Sequence, residues 1–260
     1  MRHRSVVFLG LLLALAGGVA LFLHWLLFTQ QGLEFAIAQL SRLPTVKIEV
    51  RGARGSIAGP LTADSVTVDH EAAHVVARGL AVSPEPGGLV VGHFGLEGLT
   101  VSRLEVTLKE RPPQPRKPPY FLPAGLHITA PDFRLGDIAL TLKSGQRIEA
   151  RAARGSLSLT RWRLDLDPVD VRGPDGRISG SLVLRASAPL GLRTDLRGEW
   201  RLPGDAFDYR FRVVTRGDLA RLGADVYLDA PAKLRFAGTL LDLTGKPRAK
   251  GRFRMTETDG

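Results

Sequence analysis

From Thr45 onward the apolar positions recur at every second residue. Val46, Ile48 and Val50 alternate with polar neighbours, as do Val66 and Val68, and Leu104, Val106 and Leu108. The period returns at Ile138, Leu140 and Leu142, at Ile178, Leu182 and Leu184, and at Tyr209, Phe211 and Val213. Successive side chains of an extended chain point to opposite sides, so each run predicts a β-strand with one apolar and one polar face. Turn signals separate the runs: Lys143-Ser144-Gly145, Gly173-Pro174-Asp175-Gly176 and Thr244-Gly245-Lys246-Pro247. Between Leu159 and Trp162 the apolar parity flips, which predicts a bulge or a strand break.

The N-terminal region follows a different rule. Val6 to Phe28 is a run of 23 residues, apolar apart from glycines and His24. As a helix it reaches ~34 Å at ~1.5 Å per residue, enough for a hydrocarbon core of ~30 Å. Arg2, His3 and Arg4 precede it, which predicts a cytoplasmic N-terminus with the bulk of the chain across the membrane. Ala14-Leu15-Ala16 has the small-residue form of a cleavage site, but cutting there leaves the greasy segment Gly17 to Phe28 in place. An uncleaved signal anchor is expected. His24 lies beside Trp25 at the exit end, where both are ordinary interfacial residues. Leu33, Ala36, Ile37, Leu40 and Leu43 then share one arc of a short amphipathic helix that Pro44 ends, and capping of the first strands is its expected role.

No later segment has helical period and enough length to form a second layer. The expected class is all-β: a transmembrane helix followed by an elongated, twisted antiparallel sheet. Such a sheet closes on itself, stacks, or curls into a groove filled by something else. The organisation expected is a cytoplasmic tip and anchor (1–30), the short helix (31–44), a first β unit (45–110), a linker (111–123) and a second β unit (124–260). Arg111 to Pro123 carries six prolines around Arg116 and Lys117 and reads as a stiff linker or long loop. Arg54-Gly55-Ser56-Ile57 returns as Arg154-Gly155-Ser156-Leu157, a weak internal repeat.

Composition narrows the chemistry. The 260 residues contain no cysteine, which excludes disulfides, thiolate metal sites and cysteine nucleophiles. The net charge of +10 attracts polyanions, but its arginines are dispersed, so nucleic-acid binding is not expected. Arg51, Arg54, Arg78, Arg154, Arg172, Arg197 and Arg216 each precede a glycine and read as polar strand ends before turns.

The sharpest motif is His70-Glu71-Ala72-Ala73-His74. On a helix, His70 and His74 fall one turn apart and bind zinc while Glu71 polarises the bound water. Valines on both sides predict a hairpin tip instead. The extended zinc motif is broken at Ala77 and Leu80, and Glu85 lies between prolines. Asp165, Asp167, Asp170 and Asp175 suggest calcium, yet Asp165 and Asp167 alternate with Leu164 and Leu166 as a solvated strand face. Serine elbows, phosphate loops and dinucleotide fingerprints are absent, so no catalysis and no cofactor are expected.

The arginine-flanked anchor and the element Gly55-Ser56-Ile57-Ala58-Gly59-Pro60-Leu61 resemble the N-terminal region of the TamB family, within the AsmA-like superfamily. Leu80 to Pro84, the Leu89 to Gly92 turn, Val101 to Leu108 and Leu122 to Ile128 are similar to the family's following strands. The resemblance implies a sheet curled into a trough across the bacterial periplasm, carrying phospholipid toward the outer membrane. It also implies support for the assembly of outer-membrane proteins and autotransporters. An outer-membrane barrel like TamA is the implied partner, through a C-terminal region of the family not matched here. Ile138, Leu140, Leu142, Ile178, Leu182, Leu184, Phe211 and Val213 are the expected trough lining. A single-unit carrier like LptC, a zinc peptidase and a basic cell-wall-binding domain are the alternatives.

Overall fold

The computed structural model describes residues 21–22, 24–40, 47–71, 73–85, 87, 93–109, 120–122, 124–201, 207–243 and 248–255. Fifteen strands join one open, twisted sheet. The first five are β1 (Lys47–Arg51), β2 (Arg54–Gly55), β3 (Leu61–Asp69), β4 (Ala73–Glu85) and β5 (His93–Leu108). Next come β6 (His127–Thr141), β7 (Arg147–Ala150), β8 (Ala152–Leu159), β9 (Arg163–Arg172) and β10 (Gly176–Arg185). The last are β11 (Gly191–Arg201), β12 (Asp208–Asp218), β13 (Arg221–Ala230), β14 (Leu234–Leu241) and β15 (Arg248–Met255). Across the sheet the order is β1, β3, β4, β5, β6, β8, then β9 to β15 in sequence; β2 adds to β3 and β7 to β6.

Every described pairing is antiparallel except one. β5 and β6 run parallel, with His93 opposite His127 and Thr107 opposite Thr141, and this corrects the expectation of a wholly antiparallel sheet. The pair joins the strands expected for the first unit to those expected for the second. A parallel pair requires the chain to return along the strand's length, ~46 Å at ~3.3 Å per residue. The 18 residues 109–126 suffice, since a proline-rich chain reaches ~56 Å at ~3.1 Å per residue.

One helix, α1 (Gln30–Leu40), docks at the start of the sheet. Gln30 uses both ends of its amide: Nε2 donates to the Ala53 carbonyl at 3.0 Å, and Oε1 accepts from the Gly55 amide at 2.8 Å. The Ala58 amide donates to the Leu27 carbonyl at 2.8 Å, and Leu33 is only 5% exposed. The Gly55–Leu61 element is therefore the seat of the N-terminal helical region. Leu43 and Pro44 lie outside the described residues, as do residues 6–20 and 23 of the expected anchor. Among the described residues no helix is long and apolar enough to cross a membrane.

The sheet is one layer thick. The chain exposes 17776 Å², where a compact protein of its 28.2 kDa exposes ~11,000 Å². None of the described large side chains is fully buried.

A period of two does not run unbroken through the long strands. Apolar positions pass from Val75 and Ala77 to Leu80 and Val82 in β4. They pass from Leu99 and Val101 to Leu104 and Val106 in β5, and from Phe133 and Leu135 to Ile138 and Leu140 in β6. The three switch points, Gly79, Ser102 and Gly136, lie side by side. Gly79 has φ +61°, a conformation side chains resist, and a Cβ on Gly136 would meet the Ser102 carbonyl oxygen at 2.1 Å. This transverse crease turns each strand over halfway along. Leu135 and Ile138 consequently pack against the same buried cluster of Phe133, Ala153 and Val169, although strict alternation would place them on opposite faces.

A second line of irregularity crosses at Ser156. Leu157 pairs with Leu166 and Gly155 with Val169, leaving Asp167 and Pro168 opposite one residue; Pro131 and Asp132 do the same on the other side. Bulges of this kind add a residue and reverse the parity that follows. The flip expected between Leu159 and Trp162 is the β8–β9 turn, closed by the Thr160 amide donating to the Arg163 carbonyl at 2.8 Å.

Arg51 and Arg172 end β1 and β9 before a glycine as expected, but other Arg-Gly pairs need correction. Arg78, Arg154 and Arg197 lie within strands, where the arginine faces outward and its glycine makes room on the other side. Phe211, for example, lies over Gly198, where a Cβ would meet the ring at 2.7 Å. The apparent repeat does not hold either. Arg54–Ile57 forms the edge strand β2 and a turn, whereas Arg154–Leu157 is mid-strand at the second bulge line.

Candidate functional site

The two irregular lines keep the apolar side chains on one face of the sheet. One cross-strand row runs Leu61, Val82, Leu99, Phe133, Gly155, Val169, Gly180, Leu196, Val213, Val226, Phe236 and Phe253, from β3 to β15. Nearer the helix-bearing end lies a leucine-rich row: Ile128, Leu159, Leu164, Leu184, Leu192, Gly217, Leu222, Leu240 and Ala249. Phe133, Ala153 and Val169 are buried at the centre, shielded by side chains of their own face such as Leu99, Leu157 and Leu196. Most of the remaining face is half-buried, and at the β15 edge Phe253 and Met255 are each 73% exposed.

Of the expected lining residues, Ile138, Leu140, Ile178, Leu182, Leu184, Phe211 and Val213 lie half-buried on this face. Leu142 is half-buried too, but lies outside the strand. It falls just past β6, in the turn where its amide donates to the Gln146 carbonyl at 2.8 Å. Leu192, Leu196, Leu222, Val226, Phe236 and Phe253 were not singled out from the sequence. Their alternation with arginines and aspartates carried the same signal.

Two polar side chains are buried in the apolar face, Thr194 and Thr215. They stand opposite each other on β11 and β12, with their hydroxyls 2.9 Å apart. Each satisfies the other, so the pair is tolerated where a lone hydroxyl is costly. Thr194→Val is expected to destabilise the protein by ~1–2 kcal/mol, because the Thr215 hydroxyl loses its partner. Adding Thr215→Val is expected to restore most of the loss, and a double-mutant cycle in denaturant reads the coupling. Additive losses would show that the hydroxyls do not depend on each other.

The opposite face is ionic. Arg212 grips Asp195 with two hydrogen bonds, 2.9 Å from Nε and 2.6 Å from Nη2, and Arg163 does the same to Asp165. Arg201 pairs with Asp208 at 2.8 Å. The Arg212 hydrogen bond holds the Asp195 carboxyl below the usual carboxylate range against the opposing effect of burial. At Asp170, burial pushes the carboxyl up. The Arg177 hydrogen bond at 2.7 Å and the charges of Arg177, Arg154 and Arg172 outweigh it, so this carboxyl also stays low. These pairings place Asp165 and Asp170 in ion pairs on separate arginines. Among the described residues no three histidines or carboxylates gather to hold a metal, calcium included.

The His-Glu motif is a hairpin tip. The His70 amide donates to the Ala73 carbonyl at 3.0 Å, the Ala73 amide returns at 3.3 Å, and Asp69 stands opposite His74. His74 Nδ1 lies 3.3 Å from Asp69 Oδ1, and Lys109 holds the same carboxylate. The hydrogen bonds from Lys109 and His74 lower the Asp69 pKa. The zinc reading of His70, Glu71 and His74 needs one helical turn between the imidazoles, and a two-stranded turn does not provide it. Glu85 is at the far end of β4.

No family model, curated protein or solved structure matches the chain. What the site can do therefore rests on its geometry: a continuous apolar face, one residue deep, with charge confined to its back.

Proposed function

We propose that this chain is a noncatalytic, inner-membrane-anchored carrier of phospholipid acyl chains, of the TamB/AsmA-like kind. Its sheet curls into a periplasmic groove that leads lipid toward the outer membrane and supports outer-membrane protein assembly there. Residues 6–28 anchor it, and a barrel like TamA is its partner at the far membrane. The observation that carries this reading is the apolar row from Leu61 to Phe253, with no second layer over it among the described residues.

The physics favours an acyl chain as occupant. Each methylene moved from water to an apolar surface gains ~0.8 kcal/mol, so a long chain binds without any specific contact. One leaflet's chains span about half of a ~30 Å hydrocarbon core, and a ten-residue strand offers ~33 Å of surface. The ionic back face, with its arginines paired to aspartates, stays in water.

The test is photocrosslinking in cells from probes at Leu140 and Leu184, with the adducts read by mass spectrometry. Phospholipid adducts at both positions are expected. Protein adducts alone would overturn the carrier reading.

A further inference from the structure

The two ends of the sheet are not equivalent. At one end lie the α1 seat at Gly55–Pro60, the end of β4, the starts of β5 and β6, and the β8–β9 turn. The other end carries the His70–Ala73 turn, Lys143–Gln146 and Gly173–Asp175. Residues 120–122 are fastened to the first end, where the Phe121 amide donates to the Arg161 carbonyl at 2.9 Å. The Arg161 guanidinium lies between two rings, 5.1 Å from the centre of Tyr120 and 4.9 Å from that of Trp162. Arg161 Nε is sealed from solvent and meets no hydrogen-bond partner among the described residues. Tyr120 is nevertheless 61% exposed and Trp162 49%. Two exposed aromatic rings are thereby fixed around one arginine.

We propose that the Tyr120–Arg161–Trp162 cluster is a membrane-surface contact, seated at the headgroup level of the bilayer that anchors the chain. Three observations select a bilayer. Tyrosine and tryptophan favour the boundary between headgroups and acyl chains, with the ring in the apolar layer and the polar atom in the wet one. A guanidinium stacked on aromatic rings presents a planar fork of donors that matches a phosphate. The exposed Leu21, Phe22, Phe28 and Phe35 of the N-terminal helical region lie at this same end of the sheet. The turn is four strands from β3, or ~19 Å at ~4.8 Å per strand, so the sheet has two separated footholds and stands with its strands steep to the membrane. The leucine-rich row at this end then faces the acyl layer, where lipid enters. The inference rests on the carrier reading for the anchor and for the groove's mouth.

The full chain is reconstituted in phosphatidylcholine–phosphatidylglycerol vesicles with brominated acyl chains, as variants keeping one tryptophan each. Trp25→Phe with Trp200→Phe leaves Trp162; Trp25→Phe with Trp162→Phe leaves Trp200, at the opposite end of β11. Trp162 is expected to lose most of its emission relative to unbrominated vesicles, while Trp200 keeps its own. Arg161→Gln is expected to weaken the Trp162 quenching most in phosphatidylglycerol-rich vesicles. An unquenched Trp162, or equal quenching of Trp162 and Trp200 from a sheet lying flat, overturns the contact. Quenched Trp162 without lipid adducts at Leu140 and Leu184 would sink the carrier reading and leave the contact standing.

Discussion

Phe133→Ala is expected to lower the stability of the sheet by ~3 kcal/mol, the largest loss for any single side chain on the apolar face. Phe133 is 5% exposed and is the largest member of the buried cluster with Ala153 and Val169, against which Leu99, Leu135, Ile138 and Leu157 pack from both sides of the crease. Truncating a buried phenylalanine usually costs ~3–5 kcal/mol, part of it from the cavity left behind. Here the sheet has one open side, so water and neighbouring leucines relax into the space and the lower figure applies. Urea denaturation followed by circular dichroism reads the effect. Because typical domains are stable by only ~5–15 kcal/mol, such a loss is easily seen. A change below ~1 kcal/mol would mean that the crease region is not the structural centre.

Val213→Glu is expected to cut the yield of phospholipid adducts from a probe at Leu184 by more than tenfold while leaving the sheet folded. Val213 is half-buried in the long apolar row, between Leu196 and Val226. Taking an ionised carboxylate out of water against an acyl chain costs several kcal/mol, and each ~1.4 kcal/mol is a factor of ten in occupancy. In the empty protein the same side chain can reach solvent, so the folded state loses little. Val213→Gln, uncharged and of similar size, is expected to fall between. Undiminished adducts from a folded Val213→Glu protein would mean that lipid does not travel over this face.

Much of the architecture was legible beforehand because strand alternation is a local property. Ile178, Leu182 and Leu184, then Phe211 and Val213, alternate with charged or small neighbours, and each run became a strand with its apolar side facing one way. The turns at Lys143–Gly145 and Gly173–Gly176 were equally plain, since glycine and proline set the backbone there. The hairpin reading of His70–His74 followed from the flanking valines. Leu142 falls just past its strand because alternation continues one residue into a turn without marking where the ladder stops.

The chain's own pattern determined that this protein is built from strands with one greasy and one ionic face, and that no segment after the short N-terminal helix has a helical period long enough to cover them. Which strands meet, and where each turns over, was decided only in three dimensions. The parallel pairing of β5 with β6 depends on the reach of a long connection. The crease depends on Gly79, Ser102 and Gly136 arriving side by side from positions far apart in sequence. Each of these residues looks like an ordinary break in alternation by itself. Only their alignment across the sheet brings both halves of β4, β5 and β6 to the same face, because a face is shared between strands and no single strand encodes it.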